Sequence, residues 1–73
     1  SEDNPYSEIG VFLGFVHSGL ELHKKYGNYF ESCRDLDKRI INVYSSFPKT
    51  SIDEIIDKST NLILACYVES RKI

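Results

Sequence analysis

The sequence predicts an all-α fold: a small three-helix bundle, or four helices counting a short turn helix, stapled by a disulfide. Three observations lead there. Apolar residues recur at helical spacing in three segments, no alternating strand pattern stands beside them, and two cysteines lie at nearly equal distances from one turn. The chain has 73 residues, 41% hydrophobic and 27% charged, which is room for a single small helical domain over residues 1–73. A chain this short buries only about 60% of its unfolded surface, so it needs a staple: a disulfide, a metal or a second copy.

Residues Ser1 to Asn4 are polar and read as a frayed N-terminus. Asn4 suits an N-cap, Pro5 suits the first helical position, and Glu8 puts a carboxylate near the positive end of the helix. Ile9, Phe12, Leu13, Val16 and Leu20 then repeat along one expected buried face, widened by Val11, Phe15 and Leu22, as a central helix requires. Lys24 and Lys25 complement the negative helix end, and Gly27 is expected in the left-handed conformation after Tyr26. The first helix therefore spans about residues 5 to 26.

Residues 28 to 34 read either as a loop or as an extra turn. From Asp35 the pattern resumes with Leu36, Ile40, Val43, Tyr44 and Phe47, and Pro48 disfavours helix in the residue before it, so the second helix stops near Phe47. Ser51-Ile-Asp-Glu54 has the spacing of a capping box, in which the Ser51 hydroxyl and the Glu54 carboxylate satisfy each other's backbone N–H groups. A third stripe follows through Ile55, Ile56, Ser59, Leu62, Ile63, Cys66 and Tyr67.

Cys33 lies fifteen residues before Pro48 and Cys66 sixteen after Thr50. Two helices folded back on each other about that turn bring both cysteines to one level, and axes about 8 to 10 Å apart let two small side chains meet. The loop so closed would stabilise the fold by roughly 3 to 4 kcal/mol. A Cys33–Cys66 disulfide places the chain in an oxidising compartment, periplasmic or secreted. The alternative is two reduced, buried cysteines acting as small hydrophobes.

Nine Lys and Arg against eleven Asp and Glu give a net charge of -2, which argues against binding to a phosphate backbone. The longest apolar stretch, Ile9 to Val16, has eight residues with two glycines among them, well short of the roughly 20 that span a bilayer. No methionine is present, even at position 1, so the chain reads as a processed or trimmed product.

Catalytic signals are sparse. His17 and Glu21 stand four apart and reach one face, but two ligands make no metal site, and an i, i+4 hydrogen bond is the simpler expectation. His23 has no partner in sequence and reads as partly exposed. Cys33 beside Arg34 has the surroundings of a reactive thiolate, without the Cys-x-x-Cys that would accompany it. No metal, cofactor or enzymatic activity is expected.

Surface signals are richer. Gly10 and Gly14 let another backbone approach the first helix, either by internal packing or as a homodimer seam. Tyr26-Gly-Asn-Tyr-Phe30 gathers three aromatics in five residues, either as a protein-binding edge or as a lid over the core. Lys24-Lys25 and Arg71-Lys72 are explained by the helix ends they follow.

Gly14-Phe15-Val16 with Gly19 on a first helix, Cys33 after an aromatic segment, Val43-Tyr44 before Pro48, and Leu62 to Cys66 at the end form a recurring arrangement. Over about residues 10 to 67 it resembles the periplasmic immunity proteins that protect bacteria from type VI secretion amidase effectors. Where that family has a tyrosine this chain has Phe15, and where it has a histidine before the proline this chain has Phe47. The resemblance implies a small helical protein, often dimeric, that blocks a peptidoglycan-cleaving toxin without catalytic residues of its own.

The functional expectation is therefore a protein that binds and inhibits a protein partner, with a peptidoglycan hydrolase or amidase toxin as candidate. Tyr26, Asn28, Tyr29 and Glu31 at one end of the bundle, or Pro48 and Lys49 at the other, would make the contact. The alternative is a non-catalytic helical assembly module of a larger phage, secretion or surface complex, held by Gly10 and Gly14. A third possibility, an apolar ligand between splayed helices, follows from the wide apolar face of the first helix.

Overall fold

A computed structural model describes the backbone of residues 5–72 and the side chains of residues 9–72; the expected frayed segment and Asn4 cap lie outside the described residues. Three helices run up, down and up: α1 over Pro5–Tyr26, α2 over Leu36–Ser46 and α3 over Ile52–Ser70. A 3-10 turn at Glu31–Cys33 precedes α2, and the described residues hold no strand. The segment left open between loop and extra turn is thus a short turn helix.

Leu36, Ile40 and Ile55 are fully buried, with Phe12 and Ile63 beside them. Each such side chain contributes about 1.5–3 kcal/mol by leaving water. Cys33 and Cys66 are also fully buried, their sulfurs 1.94 Å apart and their Cα atoms 4.7 Å apart. The disulfide expected from the near-symmetric spacing is formed.

The phase of α1 differs from the expected one. Phe12 is buried and Phe15, Val16, Leu22 and Tyr26 pack half-buried against the core, whereas Ile9, Val11, Leu13 and Leu20 are each more than 40% exposed. Gly19 explains the rotation. A Cβ there would lie 3.0 Å from both Ile40 Cδ1 and Ile63 Cγ1, so α2 and α3 approach α1 where it has no side chain. The face carrying Ile9, Leu13 and Leu20 is turned away.

The same measurement corrects the reading of Gly10 and Gly14. Nothing lies within 4 Å of a Cβ built at either position, so neither mediates internal packing. Gly27 also departs from expectation, since no glycine among the described residues has a positive φ. Its N–H donates to the His23 carbonyl at 2.7 Å, continuing the helical pattern. A Cβ at Gly27 would meet that carbonyl at 2.5 Å and the His23 ring at 2.8 Å, so the position has room for neither beside a side chain. The left-handed residue is Asp35 instead, with φ 52°, which precedes α2.

Phe47 adopts extended φ and ψ before Pro48 and ends α2 as expected. α3 begins at Ile52, but the capping box is absent because Ser51 makes no side-chain cap bond. Its N–H is already donated to the Pro48 carbonyl at 2.9 Å, leaving Glu54 no donor to reach. Its ψ of 44° is also outside the extended region from which an N-cap hydroxyl reaches the first turn.

Gly19→Ala is expected to lose the stability that alanine otherwise adds to a helix, because the Ile40 and Ile63 side chains, 3.0 Å from the new Cβ, must give by a few tenths of an ångström. Gly14→Ala, in open space within a helix, is expected to stabilise it by about 0.5–1 kcal/mol. Urea unfolding of both variants checks the contrast. Reduction of Cys33–Cys66 is expected to cost about 2–5 kcal/mol, read from the same curves with and without reductant.

Candidate functional site

The loop between α1 and α2 is held from three sides. The disulfide ties Cys33 to α3, while the Ser32 N–H donates to Glu69 of α3 at 3.0 Å and the Ser32 hydroxyl donates to the same carboxylate oxygen. Arg39 Nη1 of α2 donates to the Ser32 carbonyl at 3.2 Å. His23 Nδ1 of α1 donates to the Cys33 carbonyl at 3.0 Å, and its Nε2 faces Asp37 Oδ1 at 3.7 Å. The turn thus has an attachment to every helix.

The aromatic segment divides between core and surface. Tyr26 and Phe30 pack half-buried against the core with ring centroids 5.6 Å apart, and together they form the lid. Tyr29, between them in sequence, is 79% exposed. Asn28 and Glu31 are exposed beside it, and Glu31 accepts an ion pair from Arg34 at 3.2 Å. Of the four candidates at this end, Asn28, Tyr29 and Glu31 face outward and Tyr26 is committed to the core.

Pro48 and Lys49 are exposed at the opposite end, so the two candidate sets are not brought together. Lys49 Nζ lies 3.3 Å from the Tyr44 ring centroid and donates to the Tyr44 carbonyl at 3.1 Å. Phe12 stacks on the other partner of this arrangement, with its ring 5.5 Å from that of Tyr44. Beside them, α1 and α2 splay around a groove of about 450 Å³. Ile9, Leu13 and Val16 form one wall, Ile41 and Tyr44 the other, and Lys49 and Ile52 close one end.

The sequence-marked candidates for metal and thiol chemistry are not brought together among the described residues. His17 and Glu21 are both exposed, and no group of three His, Cys, Asp or Glu side chains is placed to hold a metal ion. Cys33 is in the disulfide and offers no thiolate to Arg34. No helix of the described residues is long and apolar enough to cross a membrane.

Sequence reasoning missed His23 and Glu69, whose partners lie ten and thirty-seven residues away in the chain. No local pattern marks such pairs. The groove had a signal that was available: α1 carries more apolar residues than one face of a three-helix core can cover.

The hydroxyl and the N–H of Ser32 hold the Glu69 carboxyl below its ordinary value of 4.5, helped by Lys72 nearby. A carboxylate whose folded value is lowered stabilises the fold in full above the unfolded value, and this contribution is lost as the pH falls through the folded one. Glu69→Gln is therefore expected to be less stable than the native chain at pH 7 and to lose less stability between about pH 5 and pH 3. Thermal unfolding across that range provides the check.

Comparisons with protein-family models, with curated proteins and with solved structures find no match to this chain.

Proposed function

We propose that this chain is a small extracytoplasmic protein that binds and inhibits a protein partner. The observation that carries the proposal is Tyr29, 79% exposed on a turn that is covalently tied to α3 and hydrogen-bonded to all three helices. A rigidly mounted, outward aromatic brings contact area with little ordering cost, which is what a recognition edge requires. Asn28 and Glu31 flank it as polar rim, and the lid residues Tyr26 and Phe30 keep the segment from collapsing. The disulfide fits an oxidising compartment, periplasmic or secreted. The immunity-protein resemblance implies a peptidoglycan-cleaving amidase as the partner, and an inhibitor of that kind needs no catalytic group or cofactor.

A second reading is favoured by one observation. Gly10 and Gly14 are open on an exposed, partly apolar face of α1, as the seam of a homodimer or of a larger assembly would be. An assembly module self-associates into large species, whereas an inhibitor sediments as a monomer or a discrete dimer.

Inhibition assays against extracytoplasmic peptidoglycan amidases, combined with sedimentation, separate the two. The expected result is a soluble discrete species that inhibits one such enzyme, with Tyr29→Ala weakening inhibition by at least tenfold. Absence of inhibition across the panel, with extended self-association, gives the role to the assembly module.

A further inference from the structure

We propose that the groove between α1 and α2 is a binding site for a free medium-chain fatty acid, its chain along Leu13 and Ile41 and its carboxylate on Lys49. The site lies at the other end of the bundle from Tyr29, so it stands or falls independently of the inhibitor reading.

The groove has the form that an amphiphile requires. Its volume of about 450 Å³ falls within the roughly 300–1,000 Å³ of small-molecule sites. Its lining is isoleucine, leucine, valine and aromatic side chains, and Lys49 is the sole charged residue among them. An apolar trough with a single cation at one end is complementary to an apolar chain with a single anion at one end. An ammonium has three donors. The Tyr44 carbonyl takes one, and among the described residues no carboxylate lies within 4.0 Å of Lys49. The ammonium also lies over the Tyr44 ring, its Nζ 3.3 Å from the centroid, so a ligand carboxylate would accept from a donor that the ring and the carbonyl leave free.

The walls are also incomplete in a way that an acyl chain would complete. Leu13 and Ile41 stand on opposite sides of the groove and are 57% and 62% exposed. From Ile9 to Val16 the trough follows α1 for about 10 Å at 1.5 Å per residue. An extended chain advances about 1.3 Å per carbon from ordinary bond geometry, so about eight carbons fill it and about twelve overrun it.

The test is titration of the full, oxidised chain with butanoate, hexanoate, octanoate, decanoate, dodecanoate and decanol at pH 7, below their aggregation limits, so that the series begins short of a filled groove. Calorimetry gives the affinity, and nuclear magnetic resonance shift mapping gives the location. Affinity is expected to rise up to about fourfold per methylene until the groove is full. Decanoate is expected to bind about fivefold tighter than decanol, and Lys49→Gln to remove that difference. Leu13→Glu and Ile41→Glu, at exposed positions that folding tolerates, are expected to abolish binding, while Leu64→Glu outside the groove leaves it unchanged. No saturable binding of decanoate or dodecanoate overturns the proposal. So does equal affinity for acid and alcohol, and so does a groove shut to the acids because a second copy or an amphipathic peptide fills it.

Discussion

The covalent link between Cys33 and Cys66 is the constraint on which the loop end of this bundle depends. It fixes a three-residue 3-10 turn against α3, and everything attached to that turn inherits its position. Glu69 reaches Ser32 because the disulfide has already brought the two within bonding range. Arg39 and His23 then bind carbonyls of the same turn from α2 and α1. Without the link, each of these polar contacts would have to offset the entropy of closing a loop by itself, which a surface hydrogen bond of about 1 kcal/mol does not do. Their cooperation holds Tyr29 outward while Tyr26 and Phe30 stay folded over the core.

The opposite end is governed by packing alone. Gly19 draws α2 and α3 onto one line of α1, and the helices diverge from there toward Ile9 and Ile52. An apolar stripe on α1 wider than its contact leaves Ile9, Leu13 and Leu20 in solvent. Three helices of these lengths do not enclose a core at both ends. One end is sealed by a disulfide and two aromatic rings; the other remains a trough rimmed by Tyr44 and Lys49.

Much of the architecture was legible in the residues. Pro5 and Pro48 bound helices as expected because the restrictions of a proline ring are local and survive without knowledge of the neighbours. The cysteine pairing was legible for a different reason, since equal arm lengths from one turn are a geometric condition that helical rise converts into proximity. What did not survive depended on the environment. The orientation of α1 was set by Gly19 meeting Ile40 and Ile63, and apolar periodicity alone weighs a glycine as an absence when here it is the contact. The Ser51 capping box failed because the turn had already used the serine N–H. His23 was read as unpartnered because its acceptor is the Cys33 carbonyl, a backbone group that carries no side-chain signature. At the surface, the sequence marked Tyr26 and Tyr29 together and left lid and edge open, because spacing in an irregular segment does not say which of two tyrosines three residues apart packs against the core.

The disulfide also divides the molecule topologically. Residues 33 to 66 form a closed ring that contains all of α2 and most of α3, whereas α1 lies outside it. The ring can loosen but its two helices cannot separate far. α1 is joined to it by chain only at one end, and otherwise by the packing of Phe12, Phe15, Val16 and Leu22, the Gly19 crossing, the aromatic lid and the His23 bond. The protein is therefore a covalent hoop with a stave laid across it, and the stave is the element free to lift. Because the chain connection, the aromatic lid and the His23 bond all lie at the Tyr26 end of α1, lifting from the other end would progress toward Tyr26 and leave the hoop and its mounted tyrosine in place.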